Sequence, residues 1–275
     1  MSGIALVVSD VDGTLVTTDK RLTEKNRAAV ARLSAAGIGF SIVSSRPPFG
    51  LRTLINNLAL RLPLGSFNGA AVIMPDLTVL QQRMLARDAA LTVMDAFRTF
   101  AVDTWVFSAD RWLVTKPDGD YVGLEKCTVG AEPTVSEHLE RHVDQASKIV
   151  GATSDFEKLD ACEQVLRRIL AGAATVARSQ RYYLDITPAG VNKGTYLVAL
   201  GKRLGIASAE IATLGDMEND IPMFRASGFP IAMGNASADV KQFAAASTLS
   251  NDQDGFAVAV EELILPRAIG AGRGR

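Results

Sequence analysis

Cysteine, long apolar runs and clustered basic charge are all scarce in this sequence. Two cysteines and no C-x-x-C argue against a disulfide framework and a zinc knuckle, and they favour a reducing, cytoplasmic location. The apolar run at residues 4–8 is far shorter than a signal-peptide core or a membrane span. The net charge is −1 without any long run of Lys or Arg, so we expect neither a nucleic-acid nor a membrane partner. The short GRGR at residues 272–275 is interpreted as a frayed tail.

The two ends of the chain share one pattern, in which short apolar segments alternate with helical ones. At 275 residues and 48% hydrophobic composition, the chain can bury the core of one large or two modest domains. Buried strands are predicted at residues 4–8 and 38–43, and a helix between them is predicted to begin after Thr23 and to end at Gly37. A second helix is predicted at 51–58. The last third repeats the pattern, with a helix at 193–205 and strands at 210–216 and 230–235. This alternation is typical of a parallel sheet.

The middle of the chain has a different pattern. Hairpins are predicted at residues 104–116, turning at 108–110, and at residues 175–187, turning near Ser179 and Gln180. Helices are predicted at residues 89–100 and 156–170. We therefore predict an α/β fold with a Rossmann-like parallel-sheet core built from residues 1–84 and 188–275. An inserted α+β domain is predicted at residues 85–187.

The stretch DVDGT places Asp10 and Asp12 just past the end of the first predicted strand. Asp-Gly is also ordinary turn chemistry, so the pair alone has a structural explanation. A calcium loop is a poor fit, because Thr14, Leu15 and Arg21 occupy positions where that loop needs a ligand, a glycine and a bidentate Glu. In open parallel sheets, ligands bind at the carboxyl ends of the strands.

Three further polar motifs stand at strand ends or helix starts. They are SSRP at residues 44–47, the lysine of GVNKGTY at position 193, and GDMEND at residues 215–220. Taken singly, these motifs have simpler readings as a helix cap, a surface charge and a favourable first helical turn. Together they converge on one sheet edge and supply carboxylates, hydroxyls and one ammonium. Mg²⁺ held by carboxylates and substrate phosphate needs this combination, so the pattern predicts phosphoryl transfer.

In their order and spacing, these four motifs resemble those of the haloacid dehalogenase-like phosphatases. SFNGA (residues 66–70) and NDQDGFAVAVEEL (residues 251–263) are also similar to family patterns, and the large insertion looks like the cap of the Cof-type branch. The likeness covers nearly the whole chain. One departure is Ser45, which stands where the family's second motif usually has glycine; its side chain could narrow or shift the site.

The resemblance implies a role for each matching position. Asp10 would be the nucleophile that forms an aspartyl-phosphate, and Asp12 would be the general acid and then the base. Mg²⁺ would be held by Asp10, the backbone carbonyl of Asp12 and Asp216, with Asp220 steadying either Lys193 or the metal shell. Lys193 would offset the negative charge. The remaining residues expected at the phosphate or substrate are Ser44, Ser45, Arg46, Asn68 and Asn219.

Two expectations concern charge within the predicted site. A neighbouring carboxylate and partial burial are expected to raise the pKa of Asp12 so that it carries a proton part of the time, while the metal opposes this. Arg46 is interpreted as either a phosphate fork or a surface charge that orders the turn, and the residues favour neither.

The function that this reading favours is a Mg²⁺-dependent phosphatase acting on a small phosphorylated metabolite, with a sugar phosphate as the expected substrate. A lid that encloses the site argues for small substrates. A phosphomutase of the same superfamily and a catalytically idle sugar-phosphate or Mg²⁺ sensor are the alternatives. We expect a monomer or a small homo-oligomer.

Overall fold

The computed structural model describes residues 3–268, so the basic tail at residues 272–275 lies outside the described residues. The strands, in chain order, are β1 (Leu6–Ser9), β2 (Gly39–Ile42), β3 (Leu64–Ser66), β4 (Ala71–Ile73), β5 (Val79–Gln82), β6 (Asp103–Phe107), β7 (Trp112–Val114), β8 (Thr134–Val135), β9 (Lys148–Ala152), β10 (Ala174–Gln180), β11 (Tyr183–Pro188), β12 (Ile211–Gly215), β13 (Phe229–Ala232) and β14 (Ala246–Ser247). The α-helices are α1 (Glu24–Ala35), α2 (Arg52–Asn57), α3 (Arg87–Thr99), α4 (Val122–Val129), α5 (Phe156–Ile169), α6 (Lys193–Leu204), α7 (Ile221–Ala226), α8 (Ala238–Lys241) and α9 (Gly255–Val258). Short 3₁₀ segments and one π-helical segment, Ala259–Ile264, join them.

No helix within residues 3–268 is long and apolar enough to cross a membrane.

A five-stranded parallel sheet forms the core, in the order β14-β13-β12-β1-β2. All four residues of β1 are buried, as expected for a central strand covered on both faces. Side chains of α1, α2 and α9 pack on one face of the sheet, and those of α6 and α7 pack on the other. The α/β class and the parallel core predicted from the two ends of the chain are therefore confirmed.

The predicted helix boundaries agree with the capping residues in the structure. The Thr23 side chain accepts a hydrogen bond from the N–H of Asn26 at the start of α1, and Gly37 beyond its end has a φ of 74°. At α6, Asn192 and Thr195 form a reciprocal capping box, and Gly205 closes the helix in the left-handed region. This cap fixes the start of α6, and therefore the position of Lys193.

A second sheet of six strands, which we call the inserted sheet, has the order β10-β11-β9-β6-β7-β8. Its pairs are antiparallel except for β7 with β8. The first predicted hairpin is confirmed as β6–β7. The predicted turn of the second hairpin is wrong by two residues, because β10 continues to Gln180 and the chain turns at Arg181 and Tyr182. Arg178 donates a hydrogen bond to the Arg181 carbonyl (2.7 Å), which closes the turn there.

The inserted sheet has an apolar core on each face. Helices α3 and α5 cover one face, burying residues such as Phe97 and Leu166. The other face carries an aromatic cluster that includes Trp105, Trp112 and Tyr183, and it packs against Phe67 and Val191 from the loops that follow β3 and β11. The two tryptophans and Tyr183 are thus buried within the packing of the sheet. A small antiparallel sheet, β3-β4-β5, lies between the two larger sheets in sequence, and the sequence did not predict it.

Candidate active site

The structure brings together, at the carboxyl-terminal edge of the parallel sheet, residues from three strand ends and one helix start. Asp10 follows β1, Ser44 follows β2, and Asp216 follows β12. Lys193 is the first residue of α6. All four side chains are buried, although they are polar or charged. Burial of such groups is costly unless they are paired, so their contacts define what the site can do.

Lys193 lies between two carboxylates. Its ammonium donates hydrogen bonds of 2.6 Å to the Oδ1 atoms of both Asp10 and Asp220, and only 1% of the residue is exposed. Burial lowers the pKa of Lys193, but the charges of Asp10 and Asp220 outweigh it and raise the pKa. Lys193 is therefore a fixed positive charge against one oxygen of Asp10.

Asp216 is held by two neutral donors. The Thr14 hydroxyl donates to its Oδ1 atom (3.0 Å), and the Asn235 amide donates to its Oδ2 atom (3.2 Å). Gly13 lies against this carboxylate with a φ of 87°, and a Cβ at that position would overlap both carboxylate oxygens. Glycine is thus required at this position by both backbone conformation and space.

The carboxylates of Asp10, Asp216 and Asp220 can offer oxygen atoms that all lie within 4.8 Å of one another. One lysine stands against these three acids, so negative charge is in excess. Burial raises the pKa of Asp10 to about 7 despite Lys193, and burial followed by the Asp10 charge raises the pKa of Asp216 well above its usual value. Buried oxygen donors with uncompensated negative charge fit a hard divalent cation such as Mg²⁺.

Of the three acids, Asp220 accepts the most hydrogen bonds. Its Oδ1 atom accepts the hydrogen bond from Lys193, and its Oδ2 atom accepts from the N–H groups of Asp216 (2.8 Å) and Met217 (3.0 Å). These bonds orient Lys193 and the backbone that carries Asp216. Of the two supporting roles expected for Asp220, steadying Lys193 matches these contacts.

The side chain of Asp12 is paired with two cations. The guanidinium of Arg46 donates two hydrogen bonds of 2.8 Å to its two oxygens, and Lys20 lies 3.0 Å from its Oδ1 atom. Burial raises the pKa of Asp12, but Arg46 and then Lys20 outweigh it and hold the pKa below its usual value. The expectation of a raised pKa for Asp12 is therefore wrong for this arrangement, because two cations face the carboxylate.

Arg46 is not the surface charge that one of its two interpretations predicted, and its role as a phosphate fork stays a prediction. It is buried, and besides Asp12 it donates hydrogen bonds to the backbone carbonyls of Gly50 (3.3 Å) and Thr128 (3.0 Å). A buried arginine with these partners is not a surface charge, and its fork holds a carboxylate of the protein. Arg46 thus joins the strand-end loop after β2 to the inserted helix α4.

The remaining predicted site residues lie around the same edge. The Ser44 hydroxyl accepts a hydrogen bond from the Arg46 N–H (3.1 Å), while Ser45 is half-buried and lines a pocket beside Asp12. Asn68 has a φ of 57°; its amide donates to Asp185 Oδ2 (3.1 Å), and its carbonyl oxygen accepts from the Asn219 amide (3.2 Å). Within residues 3–268, the buried Asn219 Oδ1 atom has no partner.

Several residues that contact the site were missed by the sequence analysis. Asn235 follows β13 at the same sheet edge, so the strand-end rule could have identified it. Lys20 lies in a turn with a φ of 65°, and nothing in the local sequence singles it out. Glu125, Lys148 and Asp185 come from the inserted elements, where no motif pointed to them.

Comparisons with known proteins agree with this geometry. Residues 7–260 match the family model of the haloacid dehalogenase-like hydrolases. A 5-amino-6-(5-phospho-D-ribitylamino)uracil phosphatase from Bacillus subtilis is 24% identical, over 94% of this chain and 97% of that protein. A solved haloacid dehalogenase-like hydrolase from Bacteroides thetaiotaomicron is 28% identical with a TM-score of 0.82, covering 94% of this chain and 99% of that one. A solved sugar phosphatase of subclass IIB is 21% identical with a TM-score of 0.82, at the same coverages, and shares the fold.

Proposed function

Because the chain belongs to the haloacid dehalogenase-like hydrolases and is a phosphatase of that family, we propose that its reaction is Mg²⁺-dependent and passes through an aspartyl-phosphate on Asp10. The proposed substrate is a small phosphorylated metabolite, with sugar phosphates as the expected class. We further propose that residues 85–187 form the cap and that residues 1–84 and 188–275 form the catalytic core. A cytoplasmic location and a monomeric or small oligomeric state stay predictions.

The observation that carries this proposal is the environment of Asp10. Its carboxylate is 5% exposed, lies at the end of β1, and has one oxygen bonded to Lys193. Its second oxygen has no hydrogen bond within residues 3–268. One oxygen of this carboxylate is held by the Lys193 ammonium, and the other is free to attack an electrophile. A cation bound beside the three acids would offset their negative charge during the attack.

In the proposed first step, an Asp10 oxygen attacks phosphorus and the bond between phosphorus and the ester oxygen breaks. Asp12 donates a proton to the leaving oxygen, so an alcohol departs and the phosphoryl group stays on Asp10. This step needs the protonated form of Asp12. An arriving phosphate dianion supports it, because the dianion repels the Asp12 charge and competes for Arg46 and Lys20.

In the second step, Asp12 accepts a proton from water while the water oxygen attacks phosphorus. The bond between phosphorus and Asp10 breaks, which releases inorganic phosphate and restores the carboxylate. The pairing of Asp12 with Arg46 and Lys20 suits its ionised state, which is the state this step requires.

Mg²⁺ would be held by Asp10, Asp216 and the backbone carbonyl of Asp12, with Asp220 holding Lys193 in place. When bound, the ion supplies positive charge that reduces the repulsion between an anionic nucleophile and an anionic phosphate. Ser44, the Ser45 N–H and Asn219 are the proposed contacts for phosphoryl oxygens. Arg46 is proposed to position Asp12, and Asn68 is proposed to position Asn219.

The test is release of phosphate from p-nitrophenyl phosphate and from a panel of phosphorylated sugars, nucleotides and cofactors. We expect turnover with Mg²⁺, loss of turnover in EDTA, and recovery when Mg²⁺ is restored. Asp10→Asn should abolish turnover while the protein stays folded. The control is Asp95→Asn, which removes an exposed carboxylate of α3 and should behave as the parent.

Normal turnover by Asp10→Asn, or turnover that EDTA leaves unchanged, would refute the proposed mechanism. A requirement for a bisphosphate activator, with no release of phosphate in its absence, would favour the phosphomutase. Binding of phosphate esters without turnover would favour the sensor.

A further inference from the structure

Asp12 lines a pocket whose far wall comes from the inserted elements. Ser45 and Arg46 stand beside Asp12, and Trp105, Glu125 and Tyr183 face them. In the proposed reaction, Asp12 protonates the leaving oxygen, so the leaving group must lie against the side chain of Asp12. This pocket is therefore the leaving-group side of the site. A second cavity beside Asn219 and Lys193 is not lined by Asp12 and does not meet this condition.

The basic side chains of this pocket all have partners. Arg46 and Lys20 hold Asp12. Lys148 donates a hydrogen bond to the Ser45 carbonyl (2.8 Å) and lies 3.6 Å from Asp185. Among the described residues of the pocket, none of these three cations is left free to pair with a substrate anion. A leaving group without charge of its own fits such a pocket best.

Glu125 differs from these paired side chains, because its carboxylate makes no ion pair within residues 3–268. It projects from α4 and is 6% exposed, yet it makes no ion pair and no hydrogen bond of normal geometry within residues 3–268. Its neighbour is the buried Tyr183 hydroxyl, which has no other hydrogen-bond partner within residues 3–268; burial and then Glu125 raise the pKa of this hydroxyl. Burial likewise raises the pKa of Glu125 itself. A carboxylate that lines a pocket without an ion pair can accept a hydrogen bond from the substrate, which lowers the cost of burying it.

We propose that Glu125 is the specificity-determining residue of this pocket. It accepts a hydrogen bond from a hydroxyl of an uncharged, polyhydroxylated leaving group, and it disfavours esters that carry a second anionic group at that position. The aromatic residues Trp105 and Tyr183 in the pocket lining suit the carbon skeleton of a sugar or polyol. This inference rests on the proposed phosphatase reaction and names the leaving group for it.

The test compares three phosphate esters that share a six-carbon skeleton: sorbitol 6-phosphate, n-hexyl phosphate and 6-phosphogluconate. The first two differ only in hydroxyls, and the third replaces the terminal hydroxymethyl group with a carboxylate. We expect the parent to prefer sorbitol 6-phosphate to both others in kcat/KM. Glu125→Ala should lower the ratio of sorbitol 6-phosphate to n-hexyl phosphate by about tenfold or more, the range for loss of a hydrogen bond to a charged acceptor.

Glu125→Gln keeps an acceptor oxygen and removes the negative charge. We expect it to raise the ratio of 6-phosphogluconate to sorbitol 6-phosphate by about tenfold, because the repulsion of the second anion is lost. Structural damage would not produce that gain. The matched control is Glu132→Gln, an exposed glutamate just beyond α4 that pairs with Lys126, which should leave all three kcat/KM values as in the parent.

The outcomes separate this inference from the proposed function. Unchanged ratios in both Glu125 variants, or a parent that turns over n-hexyl phosphate as well as sorbitol 6-phosphate, would refute the role of Glu125 while leaving the phosphatase reaction in place. A parent that releases phosphate from p-nitrophenyl phosphate but from no hydroxylated ester would also refute it. Absence of any Mg²⁺-dependent turnover would instead refute the proposed function.

Discussion

Replacing Asp10 with Asn should stabilise the metal-free protein even as it removes the proposed nucleophile. In the absence of metal, burial raises the pKa of Asp10 from 3.8 to about 7. The folded protein therefore retains a proton on Asp10 that the unfolded chain has already released. Stability is full below the unfolded pKa and falls as pH rises toward the folded pKa, because the unfolded state binds fewer protons over that range.

The size of the effect follows from the shift. One pKa unit corresponds to about 1.4 kcal/mol, so between pH 5 and pH 7 the cost of ionising Asp10 grows by about 3 kcal/mol. Asn cannot ionise and does not incur this cost. The same substitution also removes the Asp10 charge that raises the pKa of Asp216, which acts in the same direction. For a chain of this size, about 3 kcal/mol corresponds to roughly 5–10 °C in Tm.

The assay is thermal unfolding in EDTA, followed by circular dichroism at pH 5, 6, 7 and 8. We expect the Tm of Asp10→Asn to exceed that of the parent by an amount that grows to pH 7 and then levels off. Mg²⁺ should raise the Tm of the parent at pH 8 and remove most of the difference in Tm from Asp10→Asn, because the bound ion offsets the negative charge of the three acids. Asp95→Asn, which removes an exposed carboxylate, should follow the parent at every pH.

Two results would contradict this reasoning. In the first, Asp10→Asn is no more stable than the parent at pH 8 in EDTA, which would mean that Lys193 already compensates the three acids. In the second, the gap in Tm is the same at every pH, which would mean that ionisation of Asp10 is not its source.

Two further predictions concern the support of Asp216. Gly13→Ala should lower Mg²⁺-dependent kcat/KM by about tenfold or more, because a Cβ there overlaps the carboxylate; Gly37→Ala, also at positive φ but with nothing within 4 Å, should cost stability alone. Equal activity in these two variants would contradict the role given to Gly13. Asn235→Ala removes a donor to Asp216, so the Mg²⁺ concentration at half-maximal activity should rise about tenfold, as measured by titration of the metal-free enzyme. An unchanged half-maximal concentration would show that Thr14 alone holds Asp216.

The groups at the strand ends could be predicted because their positions follow from local pattern. The strands β1, β2 and β12 read as apolar segments, and parallel strands place their carboxyl ends together whatever the rest of the chain does. Capping residues such as Thr23 and Gly205 fixed the adjoining helices in the same local way. Asp10, Asp216 and Lys193 could therefore be grouped from the sequence.

The partners of Asp12 could not be predicted, because they depend on contacts between distant segments. Lys20 reaches Asp12 only through the fold of the loop after β1, and Arg46 contacts the carbonyl of Thr128 in the distant helix α4. The expected pKa of Asp12 was wrong for the same reason. Glu125 was missed because its proposed role depends on the absence of an ion pair in the folded protein, and a sequence pattern does not indicate such an absence.

In the proposed mechanism, Arg46 would couple proton transfer by Asp12 to the position of the inserted elements. Its guanidinium donates two hydrogen bonds to Asp12 and another to the carbonyl of Thr128, 82 residues further along the chain. A molecule too bulky to let α4 approach β2 would separate the guanidinium from the Thr128 carbonyl and leave that donor nitrogen only the Gly50 carbonyl, so Asp12 would be held less firmly. Substrate size and acid–base chemistry would then depend on the same side chain.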